Sequence, residues 1–79
     1  MKLTIQYFAL LKDQRGLDEE TIQSSAATAN DLYQELAQTH GFTLPTTALK
    51  VAVNDDFASW ETPLADGDSI VFIPPVAGG

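Results

Sequence analysis

The sequence predicts an α+β fold: a mixed sheet with one main helix packed on one face, and an extended C-terminal tail. Three observations predict it. Residues 2–7 alternate apolar and polar, as a half-buried strand does. Residues 28–41 carry apolar side chains at helical spacing between a capping threonine and a terminating glycine. Residues 68–73 form a strand-like apolar run that ends at two prolines, and proline cannot donate to a ladder.

Each element follows from local chemistry. In the first strand, Leu3, Ile5 and Tyr7 share one face and Lys2, Thr4 and Gln6 the other. Residues 8–16 lack β-branched side chains and end in Gly16, which predicts a short helix or turn. Residues 19–24 form a second strand, with Ile22 opposed in parity to Thr21 and Gln23. Thr28 caps the main helix, with Asp31 at its third position. Leu32 and Leu36 share a face, flanked by Ala29 and Tyr33, and Gly41 supplies a left-handed stop after His40. Leu49, Val51 and Val53 alternate in a third strand. Asn54, Asp55 and Asp56 form a turn into a short strand around Phe57 and Ala58. Residues 63–68 are a loop with a tight turn at Asp66 and Gly67. The order suits a β-grasp, or ubiquitin-like, domain over residues 1–79. Its first and last strands are parallel neighbours joined through the helix, and residues 74–79 are an extended reactive tail.

Composition narrows the function. At 79 residues there is room for one modest core and little for an enclosed active site. Four basic residues stand against 11 acidic ones, for a net charge of −7. Lys2, Lys12, Arg15 and Lys50 are scattered, so nucleic acid is not an expected ligand and a basic protein partner is. Without cysteine, thiolate catalysis and Cys-ligated metals are excluded, and the single His40 makes no metal site. The acidic pairs in the turns read as turn chemistry. The N-terminus is too polar for a signal peptide and no run reaches membrane-spanning length, so a cytoplasmic protein is expected.

The tail either carries chemistry through its terminal carboxylate or is an ordinary frayed terminus. Six residues from Pro74 can reach about 18–20 Å at roughly 3.1–3.3 Å per residue. Gly78 and Gly79 have no Cβ, so backbone and carboxylate can enter a channel too narrow for a side chain. A terminal carboxylate is ionised and unreactive at neutral pH until it is activated, for instance as an acyl-adenylate made from ATP.

Strand parity adds a docking surface. Phe8, Val71 and Ile73 point away from the helix, and Phe57 lies in the neighbouring hairpin. Phe8, Phe57 and Ile73 are expected near the root of the tail, as an apolar patch on an open sheet face. Trp60 either joins this patch or folds back as core.

These residues resemble a known family over nearly the full length. Phe8-Ala9 with Lys12-Asp13, Val51-Ala52-Val53-Asn54, Pro63-Leu64 with Asp66-Gly67-Asp68, and the ending Val71-Phe72-Ile73-Pro74-Pro75-Val76-Ala77-Gly78-Gly79 resemble the small subunits of molybdopterin synthase, which are ubiquitin-like sulfur carriers. Lys12 stands where arginine is commoner.

The resemblance implies that the domain is not catalytic alone. An ATP-dependent enzyme adenylates Gly79 and converts it to a thiocarboxylate. The tail, with Pro74, Pro75, Val76, Ala77 and Gly78, then enters a large catalytic subunit, and sulfur passes to the cyclic pyranopterin precursor of the molybdenum cofactor. Two small subunits serve two large ones, and no cofactor is bound by the carrier itself. Sulfur carriage for thiazole synthesis or tRNA thiolation, ubiquitin-like protein modification, and a β-grasp interaction module with an inert tail are the competing readings.

Overall fold

A computed structural model describes residues 1–75. The elements are β1 (Lys2–Tyr7), α1 (Ala9–Arg15), β2 (Glu19–Gln23), α2 (Ala29–His40), a 3₁₀ turn (Thr46–Ala48), β3 (Lys50–Val53), β4 (Asp56–Ala58) and β5 (Ser69–Ile73). The strands form one sheet in the order β2-β1-β5-β3-β4. β1 and β5 pair in parallel, Ile5 opposite Ile70 and Tyr7 opposite Phe72. The other pairs are antiparallel. The expected mixed sheet, with its first and last strands as parallel neighbours, is therefore present.

Helix α2 is where the sequence puts it. Thr28 is extended, and its hydroxyl accepts a hydrogen bond from the Asp31 N–H at 3.2 Å. Gly41 ends the helix at φ 74°, a left-handed value that glycine adopts without a Cβ clash. Ala29, Leu32, Tyr33 and Leu36 are buried, the face that one-sided packing on a sheet requires. Each large apolar side chain so buried contributes roughly 1.5–3 kcal/mol.

Leu3, Ile5, Tyr7, Ile70 and Phe72 meet that face from the sheet and are fully buried. An aromatic cluster fills the centre. The Tyr33 ring lies 5.2 Å from Phe72 and 5.7 Å from Trp60, both edge-on. The Tyr33 hydroxyl donates to the Leu44 carbonyl at 2.6 Å, so the buried ring keeps its polar end satisfied.

Four boundaries differ from expectation by one residue. Leu49 precedes β3 because it caps the 3₁₀ turn, its N–H donating to the Thr46 carbonyl at 3.1 Å. Ser24 leaves β2 because its hydroxyl accepts from the Ala26 N–H at 3.0 Å and turns the chain. Asp68 precedes β5 because its carboxylate accepts from the Ala65 N–H at 2.8 Å and closes the 65–68 turn. Asp56 belongs to β4, paired with Val53, because Asn54 and Asp55 complete the hairpin alone at φ 52° and 73°. Two positive φ angles match the right-handed twist of the flanking strands.

Candidate docking face and carrier tail

The face of the sheet opposite α2 has no element covering it among the described residues. Register builds its surface. Gln6, Val71, Ala52 and Phe57 follow one another across β1, β5, β3 and β4. Ala52 is only 8% exposed although it lies outside the main core, because Val71 and Phe57 flank it. Phe57 is 74% exposed, a high value for a phenylalanine on a strand.

Beyond the pair Tyr7–Phe72, the next residues of the two parallel strands are Phe8 and Ile73. Phe8 is 44% exposed and Ile73 half-buried. Phe8, Phe57 and Ile73 thus all stand on the outward side of the sheet, as parity predicts.

Sequence reasoning missed two neighbours of Phe8. Leu10 and Leu17 are also exposed, one on α1 and one just after its cap. The Tyr7 N–H donates to the Asp18 carbonyl at 2.8 Å, which brings the chain at Leu17 alongside the β1 end. Extending the antiparallel β1–β2 register by two steps, past Gln6–Glu19 and Tyr7–Asp18, sets Leu17 opposite Phe8.

Trp60 resolves toward the core. It is half-buried, stacked on Phe72 at 6.0 Å with an interplanar angle of 9°. Its ring also lines a groove of about 450 Å³ with Leu49, Lys50, Val51, Phe57 and Ala58.

β5 ends at Ile73, as the two prolines require. Pro74 is buried and Pro75 exposed. Both line a groove of about 290 Å³ with Thr47, Ala48, Leu49, Lys50 and Ile73. The 3₁₀ turn, which periodicity does not reveal, therefore forms a wall beside the first tail residue. Pro74 anchors the root, and the tail leaves from Pro75. Val76, Ala77, Gly78 and Gly79 lie outside the described residues.

One polar network fixes the β1–α1 corner from behind. Arg15 holds Glu20 with two hydrogen bonds, Nε to Oε2 at 2.7 Å and Nη2 to Oε1 at 2.8 Å. The Tyr7 hydroxyl donates to the same Glu20 Oε2 at 2.8 Å. The Arg15 guanidinium, opposed by burial and helped by the Tyr7 hydroxyl, lowers the Glu20 pKa below its usual value. Burial, and then the Glu20 carboxylate, push the Tyr7 phenol well above its usual range.

The sign of the pH effect follows. A carboxylate with a depressed folded pKa stabilises the fold fully above its unfolded value of about 4.5 and loses that effect as pH falls through the folded value. A phenol with a raised pKa stabilises below about 10 and loses that effect as pH rises above it. Glu20→Gln is therefore expected to flatten the acid limb of the stability profile below about pH 4.5. Urea midpoints between pH 7 and 3, in parallel with the unsubstituted protein, check this; identical acid limbs would remove Glu20 from the account.

The described residues contain no group of three or more His, Cys, Asp or Glu side chains suited to a metal ion. No helix among them is long and apolar enough to cross a membrane. What the chain presents is an apolar patch of Val71, Ala52 and Phe57 on the open sheet face, and a tail root at one end of two central strands.

The sequence model of the ThiS family matches residues 5–79, which includes the whole tail. The chain belongs to the ThiS family. It is 31% identical, over 98% of its length and 99% of the relative's, to the molybdopterin synthase sulfur carrier subunit of Escherichia coli. Among solved structures it is similar to a Pyrococcus furiosus protein described as molybdopterin converting factor subunit 1. That match has a TM-score of 0.78 and 30% identity, and it covers 96% of this chain and 99% of that one. It is also similar to a chain in the complex of subunits 1 and 2 of the Helicobacter pylori molybdopterin-converting factor, at TM-score 0.68 and 26% identity over 100% of both chains. The β-grasp fold and the sulfur-carrier resemblance read from the sequence both hold.

Proposed function

We propose that this ThiS-family chain is the sulfur-carrying small subunit of a molybdopterin synthase, with Gly79 as the reacting residue. The observation that carries the reading is the parallel pairing of β1 with β5, which sets the Phe8 end of the open face beside the root of the tail. A partner that grips Phe8, Phe57 and Ile73 receives the tail at a fixed origin. Binding energy gathered on the sheet face then positions a distant reacting atom. The partner of this class is the large catalytic subunit, and the subunit complex of the Helicobacter pylori relative supports that choice.

The chemistry balances as follows. The Gly79 carboxylate attacks the α-phosphorus of ATP in an activating enzyme, and pyrophosphate leaves. A sulfur nucleophile adds to the acyl carbon and AMP leaves, giving a C-terminal thiocarboxylate. The thiocarboxylate sulfur then forms a C–S bond to the pterin precursor within the large subunit as an oxygen substituent of that carbon leaves. Water adds at the acyl carbon, the acyl C–S bond breaks, and the sulfur stays on the precursor as a thiolate while the carrier regains its carboxylate. With no cysteine in the chain, no side-chain thiol can carry the sulfur, and the activated C-terminal carboxyl takes that role. The charge of −7 disfavours binding of a phosphorylated precursor by this subunit and assigns that task to a basic partner.

Intact-mass measurement after iodoacetamide treatment tests the carrier reading. Co-expressed with an activating enzyme, the chain is expected to take up a single, rapid alkylation. Absence of alkylation, with the enzyme shown active on another carrier, would move the assignment to a protein modifier or an inert-tailed interaction module.

A further inference from the structure

The strand-to-helix corner at Ala9 holds a conformation that its residue type does not favour. Ala9 sits at φ 52°, in the left-handed region, whereas the other described residues with positive φ are turn asparagine, aspartate or glycine. Left-handed backbone is disfavoured for a residue with a Cβ, and Ala9 has no polar side chain to offset the clash. Such outliers persist only where the surroundings over-determine them.

The surroundings here do so from both sides. On the β1 side, Tyr7 is fixed by its pairing with Phe72, by its N–H bond to the Asp18 carbonyl, and by its hydroxyl on Glu20. On the α1 side, Leu11 is fully buried, Arg15 is forked onto Glu20, and Gly16 closes the helix at φ 82°. The chain has to pass from an extended Phe8 (φ −130°, ψ 153°) into helix within one residue. Thr28, equally extended, enters α2 through Ala29 with no positive φ, so the left-handed step at Ala9 is particular to this corner. That step leaves Phe8 outward while Leu11 points in.

We infer that Ala9 is a positioning residue: its restricted left-handed backbone presents Phe8 in one fixed orientation for docking on the large subunit. The inference rests on the docking reading above. Alanine, once forced into this well, has few alternatives, so Phe8 is already ordered before a partner arrives. Glycine in the same place would relieve the clash and widen the range of corner conformations. Stability and affinity should then move in opposite directions, a pattern that a purely structural role does not produce.

The test uses the full chain and the purified large subunit, with affinities from titration calorimetry and thermal midpoints from circular dichroism. Ala9→Gly is expected to raise Tm by about 3–6 °C and to weaken binding about two- to fivefold. Ala9→Asn, a residue that tolerates the left-handed region, is expected to keep the unsubstituted affinity without loss of Tm. The inference is overturned if Ala9→Gly binds as well as the unsubstituted protein, if it lowers Tm, or if Ala9→Asn weakens binding as much as Ala9→Gly. Failure of the unsubstituted protein to bind the large subunit would instead overturn the docking reading, and this inference with it.

Discussion

Deleting Gly79 is expected to abolish sulfur transfer while leaving the docked complex intact. The deletion draws the terminal acyl carbon back by about 3.3–3.6 Å along an extended chain. A misplacement of only ~1 Å can cost about a hundredfold in rate, so a full residue takes the reacting atom out of range. In the proposed complex, docking rests on other residues. Phe8, Phe57 and Ile73 stand on the sheet and are untouched by the change. The affinity of the deleted chain for the large subunit is expected to stay within about tenfold, or roughly 1.4 kcal/mol. Single-turnover sulfur transfer and calorimetric binding, measured on the same preparation, check both halves. Loss of binding together with transfer would show that the tail, and not the face, supplies the grip. Retained transfer would remove Gly79 from the chemistry altogether.

Phe72→Ala is expected to destabilise the domain by about 3–5 kcal/mol. Phe72 is fully buried at the centre of the sheet, stacked on Trp60 and edge-on to Tyr33. Truncation removes its transfer free energy and leaves a cavity among rigid rings that do not collapse easily. A domain of this size has little stability to lose, because total values near 5 kcal/mol are common. The substituted protein should therefore show a much reduced urea midpoint or a large unfolded fraction at 25 °C. Val71→Ala, one residue away on the outer face, is the control and should cost under about 1.5 kcal/mol. Equal losses at the two positions would contradict the assignment of faces.

Much of this was legible in the chain because parity and caps are local signals. Leu3, Ile5 and Tyr7 alternate regardless of what they pack on, and Thr28 and Gly41 mark helix ends by their own chemistry. Counting residues along a strand is enough to place Phe8 and Ile73 on the outward side.

What escaped depends on contacts far apart in sequence or on backbone states that residue type does not announce. Trp60 follows a short edge strand, where parity stops carrying information, and the buried ring of Phe72 decided its side. Arg15, Glu20 and Tyr7 meet only because the β1–β2 register sets Glu20 opposite Ile5 on the helix side of the sheet. Alanine has no preference for the left-handed region, so Ala9 gave no signal at all. The 3₁₀ turn beside Pro74 spans just three residues, too few for any period to show.

The parallel pairing of β1 with β5 has a consequence for how such a carrier can vary. The two strands are locked tooth to tooth, Tyr7 beside Phe72, so in the proposed carrier the tail would serve as a ruler with its zero mark fixed to the sheet. One residue inserted after Ile73 would overshoot by about 3 Å, and one removed would fall short by as much. Substitutions on the surface change how firmly the ruler is held, whereas insertions and deletions beyond Ile73 change what it measures. In the proposed carrier, the length of chain beyond Ile73, more than the identity of its side chains, would decide where the reacting atom arrives.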